Sequence, residues 1–404
     1  MKHFGVLYRY ECKKLLSKKI VWISFSLSIL MILISLFAPF LGDYYIDGKF
    51  IDTNYNMYQQ EKAYARALSG REISQELLEE TIAAYRKIPE IPGTHYTATE
   101  EYGKYARPYS EIFNFIRNLS GMQTSEMITS WQPDEDDMYA RRQTWLTSRW
   151  EDLGLSKGEM EFWREREEQI KKPYVYEAHE AYHNIISGYQ TVGLFQLMLI
   201  AICLSGIFSD EHIRKTDQIV LSSPLGKTSL YWAKITVGIS FAAISTILLF
   251  AFVFFPVICL YGTEGFQAAF QLIYTNSSDP VTCGQAVMIA YGNMLVTAVA
   301  VSVFVMVLSE LLQSNIGTLA ASAGLLLLAM IVSMPEQYRV PAQIWSWLPW
   351  SFLAPWNVFG KYTVSVFGHY FTPWQAVPVI YLASGAMLAA IGKPIYQRFQ
   401  VSGR

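Results

Sequence analysis

Six stretches of this chain are rich in apolar residues and contain no Asp, Glu, Lys or Arg. They cover residues 20–40, 188–209, 235–263, 280–309, 311–335 and 362–392. A helix needs about 20 consecutive apolar residues to cross the hydrocarbon layer of a membrane. Because lipid cannot satisfy unpaired backbone groups, such stretches cross as helices. The sequence therefore predicts an all-α, polytopic membrane protein with six transmembrane helices.

Composition excludes several other classes of protein. Charged residues make up 16% of the 404 residues, against about 25% in soluble domains. The net charge of −2 offers no basic surface to nucleic acid. The four cysteines are far apart and lack the spacing of metal ligands or of a disulfide scaffold. A soluble globular enzyme, a disordered chain and a nucleic-acid-binding protein are therefore excluded.

One further uncharged stretch, residues 340–360, is not expected to be a seventh span. It contains three prolines and four tryptophans. Proline removes a helix hydrogen bond that lipid cannot replace, and tryptophan prefers the boundary between membrane and water. We expect re-entrant or interfacial half-helices here, before the last span.

Basic residues predict the orientation in the membrane. Six Lys or Arg residues precede the first span, four lie between the second and third spans, and three follow the last span. The loops expected on the other side, residues 264–279 and 336–361, contain only Arg339 and Lys361. The positive-inside rule places both termini in the cytoplasm and residues 41–187 outside the cell (plasma) membrane.

The expected domain organisation follows from this topology. Its parts are an N-terminal amphipathic elbow helix (1–19), the first transmembrane helix (20–40), an extracellular, mostly helical domain (41–187), and spans two to six with a cytoplasmic loop at 210–234 and a short cytoplasmic tail (188–404). The elbow helix is expected to lie on the membrane surface, with apolar residues against lipid and lysines near anionic headgroups. The residues assigned to it are Phe4, Leu7, Glu11, Lys13 and Lys14.

Residues 41–187 have the features of a small helical domain. They carry 17 Lys or Arg and 26 Asp or Glu, a net charge of −9, and no cysteine. Apolar positions from Leu77 to Ile88 recur at helical spacing. Ser156 and Glu159 form a capping-box pattern that opens another helix, which Pro173 is expected to end. The expected core tryptophans are Trp131, Trp145, Trp150 and Trp163.

Two motifs in the chain imitate catalytic signatures. Gly226-Lys227-Thr228 is similar to the end of a phosphate-binding loop, but Leu221 stands where that loop needs a glycine. His179-Glu180-Ala181-Tyr182-His183 would place two histidines one helical turn apart, as zinc requires, beside a glutamate base. Two alternatives therefore stay open: a membrane-anchored zinc metalloprotease, or a membrane receptor or sensor whose outside domain binds a ligand.

The transmembrane stretches restrict the cargo of any transporter of this type. The predicted third to fifth spans contain no ionisable residue at mid-depth. Ion pumps and proton relays place such groups within the bilayer. A hydrophobic or amphipathic substrate fits these spans better.

Two segments resemble the ABC-2 type permeases of ATP-driven exporters. Residues 10–19 are similar to the entry segment of these permeases. Residues 208–234 are similar to their first cytoplasmic loop, in which an acidic residue follows the span and a Ser-Pro turn returns the chain to a final lysine. The elbow helix, six spans and half-helices also match that layout. The 147-residue insert departs from members with a short external loop.

The resemblance implies the permease subunit of a bacterial exporter, and the uncharged spans favour an amphipathic or hydrophobic substrate such as a peptide, a lipid or a drug-like molecule. It implies that the cytoplasmic loop is a coupling helix that docks on a separate ABC ATPase, present in two copies. ATP and Mg would bind to that partner, and this chain would carry no catalytic, cofactor or metal site. Because six spans are half of the usual complement, it implies a homodimer or a heterodimer with a related permease. The docking residues assigned are Asp210, Glu211, Arg214, Lys215, Thr216, Asp217, Gln218, Leu221 and Pro224.

Overall fold

The computed structural model describes residues 4–215 and 226–398, and it is mostly helical. Its α-helices before the undescribed loop are α1 (Phe4–Leu16), α2 (Lys19–Phe37), α3 (Asn54–Leu68), α4 (Gln75–Tyr85), α5 (Ser110–Ser120), α6 (Thr124–Thr129), α7 (Glu135–Asp152), α8 (Lys157–Glu168), α9 (Glu180–Ser187), α10 (Tyr189–Leu204) and α11 (Ser209–Ile213). After it come α12 (Ser229–Tyr261), α13 (Cys283–Leu312), α14 (Asn315–Ile331), α15 (Arg339–Ser346), α16 (Pro355–Val358) and α17 (Pro373–Arg398). Two antiparallel hairpins pair β1 (Asp43–Ile46) with β2 (Lys49–Thr53), and β3 (Val364–Val366) with β4 (His369–Phe371).

Five helical stretches in the described residues are long and apolar enough to cross a membrane. They are Lys19–Phe40, Glu180–Ile213, Ser229–Tyr261, Cys283–Leu312 and Pro373–Gln397. Each overlaps one of the predicted spans. The remaining predicted span, residues 311–335, contains α14, a shorter apolar helix of 17 residues.

The proline- and tryptophan-rich segment does not form a long helix. Residues 340–360 contain most of α15, a 3₁₀ turn at Ser351–Leu353, and α16. Pro355 is the first residue of α16, where its fixed φ suits a helix and its missing N–H costs no hydrogen bond. The segment is therefore a series of short helical pieces joined by turns.

The chain divides into two compact units, and the first is rich in apolar helices. This apolar unit contains the described parts of residues 1–35, 187–255 and 289–404. The helices Glu180–Ile213 and Cys283–Leu312 are its most buried, with 72% and 61% of their most apolar stretches inside, whereas the other three candidate spans reach at most 28%. A Cβ atom at Gly193 would lie 2.6 Å from Leu353 Cδ2. Glycine therefore permits the close approach of α10 to the 3₁₀ turn.

The second unit, called the insert unit here, contains residues 36–186 and 256–288. The ring of Tyr85 stacks on Phe113 with 3.7 Å between centroids. Trp150 and Trp163 are fully buried and Trp131 is nearly so. The expectation for Trp145 was wrong, because its side chain is 38% exposed. The buried face of α7 is set by positions 138, 142, 146 and 150, and residue 145 points away from it.

Local helix signals in the insert unit agree with the structure, except at two helix ends. Helix α4 contains the predicted apolar repeat from Leu77 to Tyr85 but ends three residues before Ile88. Ser156 and Glu159 form both hydrogen bonds of the capping box at the start of α8. Helix α8 ends at Glu168, earlier than the expected stop at Pro173. The chain turns there and buries Ile170.

The two hairpins were not predicted. Asp47 and Gly48 have φ values of 50° and 74°, and they connect β1 to β2. Two consecutive residues with positive φ suit a tight hairpin turn, for which Asp-Gly is a strong signal. Phe367 and Gly368 connect β3 to β4 in the same way, with φ values of 50° and 83°. The side chain of Phe367 is fully exposed.

Candidate functional site

The N-terminal helix presents a charged face to the rest of the apolar unit. Glu11 and Lys14 lie three residues apart on α1, and Lys18 follows one turn later in the link to α2. Residues at this spacing share one side of a helix. Glu11 is 4% exposed, and both lysines are half-buried. This face therefore packs against protein.

Glu211 is the centre of the first group of contacts on that face. The Glu211 Oε1 atom accepts from Lys14 Nζ at 3.0 Å and lies 2.8 Å from Lys234 Nζ. Lys234 Nζ also lies 3.0 Å from Glu11 Oε2 and donates to the Ile207 carbonyl at 2.9 Å. Helices α1, α11 and α12 are thereby joined through two carboxylates and two ammonium groups.

Asp210 organises the adjoining contacts. Its carboxylate accepts from Lys18 Nζ at 2.6 Å and from Asn315 Nδ2 at 2.6 Å. Asn315 is the first residue of α14, so this carboxylate joins the α1–α2 link to α14. The six charged residues Glu11, Lys14, Lys18, Asp210, Glu211 and Lys234 are called the ion cluster below. Its formal charges cancel.

A second polar contact lies next to the ion cluster. His212 Nε2 is 3.1 Å from Glu310 Oε2 on α13. The hydroxyl groups of Ser209 and Ser309 lie 3.1 Å apart, and Ser309 donates to the Ser205 carbonyl. The polar start of α11 is therefore fastened to the end of α13 as well.

Burial and charge act in opposite directions on the ion cluster. Burial works against the charge on Lys14, but the carboxylates of Glu211 and Glu11 outweigh it and raise the pKa of this ammonium group. Lys234 is completely buried. A buried charge is tolerated only when it is paired and hydrogen-bonded. Each member is therefore needed to compensate the others.

The structure separates the assigned docking residues into two groups. Asp210 and Glu211 are engaged in the ion cluster, whereas Arg214 and Lys215 are exposed. Thr216, Asp217, Gln218, Leu221 and Pro224 lie outside the described residues. Among the elbow-helix residues, Glu11 and Lys14 face the ion cluster, Lys13 is exposed, and Phe4 and Leu7 are half-buried.

Sequence reasoning missed four partners in these contacts. Lys18 and Asn315 contact the Asp210 carboxylate, Lys234 contacts the Glu211 carboxylate, and Glu310 contacts His212. One signal was available for Lys234, which is the final lysine of the segment that resembles the permease loop. A lysine followed by 29 uncharged residues, 235–263, lies at the start of an apolar span, where its charge needs compensation. A buried carboxylate can provide it.

The two histidines of the metalloprotease-like motif are one helical turn apart: His179 lies immediately before α9, and the His183 amide donates to its carbonyl at 3.0 Å. The Nδ1 atom of His179 lies 2.8 Å from the Glu177 carbonyl. Burial lowers the pKa of His179 and favours the neutral ring. Across residues 4–215 and 226–398, no three His, Cys, Asp or Glu side chains are grouped so that they could hold a metal ion.

Comparison with protein families gives a match over most of the chain. The family model described as ABC-2 family transporter protein matches residues 6–344, from α1 into α15. The match includes every residue of the ion cluster. This chain belongs to the ABC-2 transporter family. No curated protein matches it.

Family membership gives the general class of this ABC-2 protein. It is a multi-pass membrane transporter subunit, and members of its family work with an ABC ATPase. Asp210 and Glu211 lie at the start of the segment that resembles the permease coupling loop, Lys234 is its last residue, and α1 and α14 supply their other partners. The ion cluster is therefore the candidate functional site of this ABC-2 chain.

Proposed function

We propose that this chain is the permease subunit of an ATP-binding-cassette exporter, driven by a separate ATPase that docks on residues 210–228. The ion cluster is the observation that carries this proposal. Glu211 lies before residues 216–225 and Lys234 lies after them, and the two side chains contact each other. Both ends of the docking segment are thus held to α1.

Such an arrangement can transmit force. A push on the docking segment acts on α11 and α12 together, because the Glu211–Lys234 pair prevents them from separating cheaply. Helix α1 moves with them through Lys14 and Lys18, and α14 through Asn315. Movement of helices as rigid bodies is a common way to convert a local event into a larger transition.

The proposed topology has six spans, with α14 as the fifth. Only Gln313 and Ser314 separate α13 from α14. Ser314 caps α14 by accepting from the Gly317 amide at 3.1 Å. A 17-residue helix is about 25 Å long, and residues 332–335 extend its reach toward the full hydrocarbon thickness. The termini and residues 210–234 are placed in the cytoplasm, and residues 41–187 outside.

The number of spans and the incomplete phosphate-binding loop indicate which partner subunits this chain needs. Two permease chains, identical or related, would assemble with two ATPase subunits that bind ATP and Mg. The cargo would be amphipathic or hydrophobic, such as a peptide, a lipid or a drug-like molecule. The metalloprotease alternative loses support because, in the described residues, no third His, Cys, Asp or Glu side chain is grouped with the two histidines to complete a metal site.

Charge reversal at the exposed loop residues tests the docking step. Arg214→Glu with Lys215→Glu should weaken binding of the partner ABC ATPase and abolish any change in its ATP hydrolysis caused by the permease. Both side chains are exposed, so folding should change little. The matched control is Lys13→Glu, an exposed lysine expected on the same side of the membrane. Co-purification and ATP hydrolysis are measured in nanodiscs.

The double variant is expected to lose binding of the ATPase, and the Lys13→Glu control is expected to keep it. Full retention of the ATPase, with unchanged ATP hydrolysis, in the double variant would refute docking at this loop. Equal losses in the Lys13→Glu control would attribute the effect to net charge near the membrane instead. Loss in the double variant alone supports the proposed interface.

A further inference from the structure

A groove in the apolar unit lies between the N-terminal helix and two of the candidate spans. Residues 8–16 of α1, 21–25 of α2 and 237–248 of α12 contribute its lining, and it is called the α1 groove below. Its volume is about 260 Å³, just below the range of about 300–1,000 Å³ in which whole small molecules are bound. The α1 groove therefore suits one part of a larger molecule.

The walls of the α1 groove are apolar, and their hydroxyl and indole groups already have partners. The Tyr8 hydroxyl donates to Ser240 Oγ at 3.0 Å, and Ser245 Oγ accepts from α10 at 2.9 Å. The indole N–H of Trp22 donates to the Leu16 carbonyl at 2.8 Å. No charged side chain is among the described residues of the lining. A polar ligand would lose its hydration without compensation here, so the lining selects an apolar occupant.

The α1 groove opens on faces of the spans that the rest of the protein leaves uncovered. In the spans that contain α2 and α12, at most 28% of the most apolar stretch is buried. Trp22, Ile244 and Leu248 line the groove and are exposed. In a multi-pass membrane protein, the uncovered sides of spanning helices contact lipid tails, which are as apolar as these side chains. An acyl chain is therefore the occupant that has direct access.

Two cationic side chains flank the α1 groove. Arg9 lies seven residues before Leu16 on α1, and Lys19 lies three residues before Trp22 on α2, so each shares a side of its helix with a groove residue. Both are exposed, and neither has an ion-pair partner in the part of the chain that the structure describes. The adjoining ion cluster is neutral as a whole and does not offset them. Unpaired cations at a membrane surface attract acidic lipids.

We propose that the α1 groove binds one acyl chain of an acidic phospholipid, and that Arg9 and Lys19 supply the charge that favours its headgroup. The chain fills the space between α1 and the two spans, beside the ion cluster. Any effect of this lipid on coupling to an ATPase rests on the proposed function. Binding itself does not, and it is measured on the permease alone.

The test uses the full chain, reconstituted in equal parts of phosphatidylglycerol and phosphatidylcholine and then extracted in detergent. Native mass spectrometry counts the phospholipids that stay bound. The unmodified chain should retain one phosphatidylglycerol, and Ile244→Trp, which fills the groove from its rim, should lose it. The matched control is Ile247→Trp on the same helix, because Ile247 is 56% exposed against 58% for Ile244 and lies outside the lining. This control should retain the lipid.

A second pair of variants tests the headgroup. Arg9→Gln should lower the ratio of retained phosphatidylglycerol to phosphatidylcholine by about fivefold, the effect of one cation near a membrane surface. Lys393→Gln, near the end of α17 and outside the lining, removes the same charge and should leave the ratio unchanged. Equal retention of the two lipids by the unmodified chain would overturn the assignment to an acidic phospholipid.

Thermal unfolding gives a readout that does not depend on mass spectrometry. A ligand that binds the folded state raises its stability. Phosphatidylglycerol added to delipidated protein should therefore raise the unfolding midpoint of the unmodified chain and of Ile247→Trp, but not that of Ile244→Trp. An equal rise in both variants, or equal loss of the bound lipid from both, would overturn the proposal.

One further outcome would assign the α1 groove to a different occupant. If the unmodified chain retained no phospholipid and Ile244→Trp changed its oligomeric mass, a second copy of the chain would cover the groove, and the lipid proposal would be wrong. Docking of the ATPase is measured separately and stands or falls independently of these results.

Discussion

Glu211 shows how one side chain can hold several parts of a membrane protein together. It is 7% exposed and contacts two lysines that belong to different helices. Its partner Lys234 is completely buried and cannot regain water if the carboxylate is removed. Breaking one side of a buried ion pair costs more than replacing both sides with apolar groups. Glu211, which the sequence assigned to the docking loop, is therefore a structural residue.

This burial changes the expected effect of substitution. A charged loop residue would normally be replaced without loss of folding. Glu211→Ala should instead destabilise the protein by about 3–5 kcal/mol, because Lys234 is left buried without its nearest carboxylate. The thermal unfolding midpoint of the solubilised protein measures this. Arg214→Ala, three residues away and exposed, should change stability by no more than about 0.5 kcal/mol. Equal midpoints would contradict the role of Glu211.

At the scale of helices and strands, local sequence signals predicted most of the long helices. The features that they did not predict depend on contacts between distant segments. Hydrophobic runs gave five of the long helices, and the Ser156–Glu159 pattern gave the start of α8. The first hairpin has a local signal in Asp47-Gly48, whereas Phe367-Gly368 in the second offers only its glycine. The ion cluster could not be predicted, since Lys14 and Glu211 are 197 positions apart. Periodicity reports only which residues share a face of one helix.

The capping box of α8 provides a test at this scale. Ser156→Ala removes the acceptor for the Glu159 amide, a hydrogen bond of 3.3 Å. The loss should cost about 1 kcal/mol and increase amide hydrogen exchange in the first turn of α8. Ser148→Ala is the matched control, because Ser148 is exposed within α7 and caps nothing. This account would be contradicted if Ser148→Ala increased exchange in the first turn of α8, or if Ser156→Ala did not.

At the scale of the whole molecule, two distant stretches of chain build one compact unit. Arg142 forms a two-pronged ion pair with Glu167, at 3.2 and 3.1 Å, and donates to the carbonyl groups of Thr275 and Ser277. Arg166 lies 2.9 Å from Asp279, whose side chain is completely buried. The connection between α12 and α13 is therefore an internal part of the insert unit.

Arg142 and its neighbour provide a matched pair of variants. Arg142→Leu leaves Glu167 without its guanidinium partner and removes a donor from the carbonyls of Thr275 and Ser277, at an expected cost of about 3–5 kcal/mol. The 275–279 turn should then become susceptible to chymotrypsin after Tyr274. Arg141→Leu removes only exposed contacts to Asp137 and Glu126, worth about 1 kcal/mol or less. Equal cleavage of both variants would show that Arg142 does not hold the turn.

The two-part construction of the insert unit limits how its gene can be cut and recombined. A fragment that encodes residues 36–186 alone would lack the polypeptide that covers Arg142 and Arg166. A chimaera that exchanges only this stretch with that of a relative would join a foreign surface to the native Asp279 turn. A chain designed to transplant or secrete the insert unit must therefore include residues 256–288 as well as residues 36–186, for example joined by a designed linker. Substitutions tolerated in one stretch should depend on the residues present in the other.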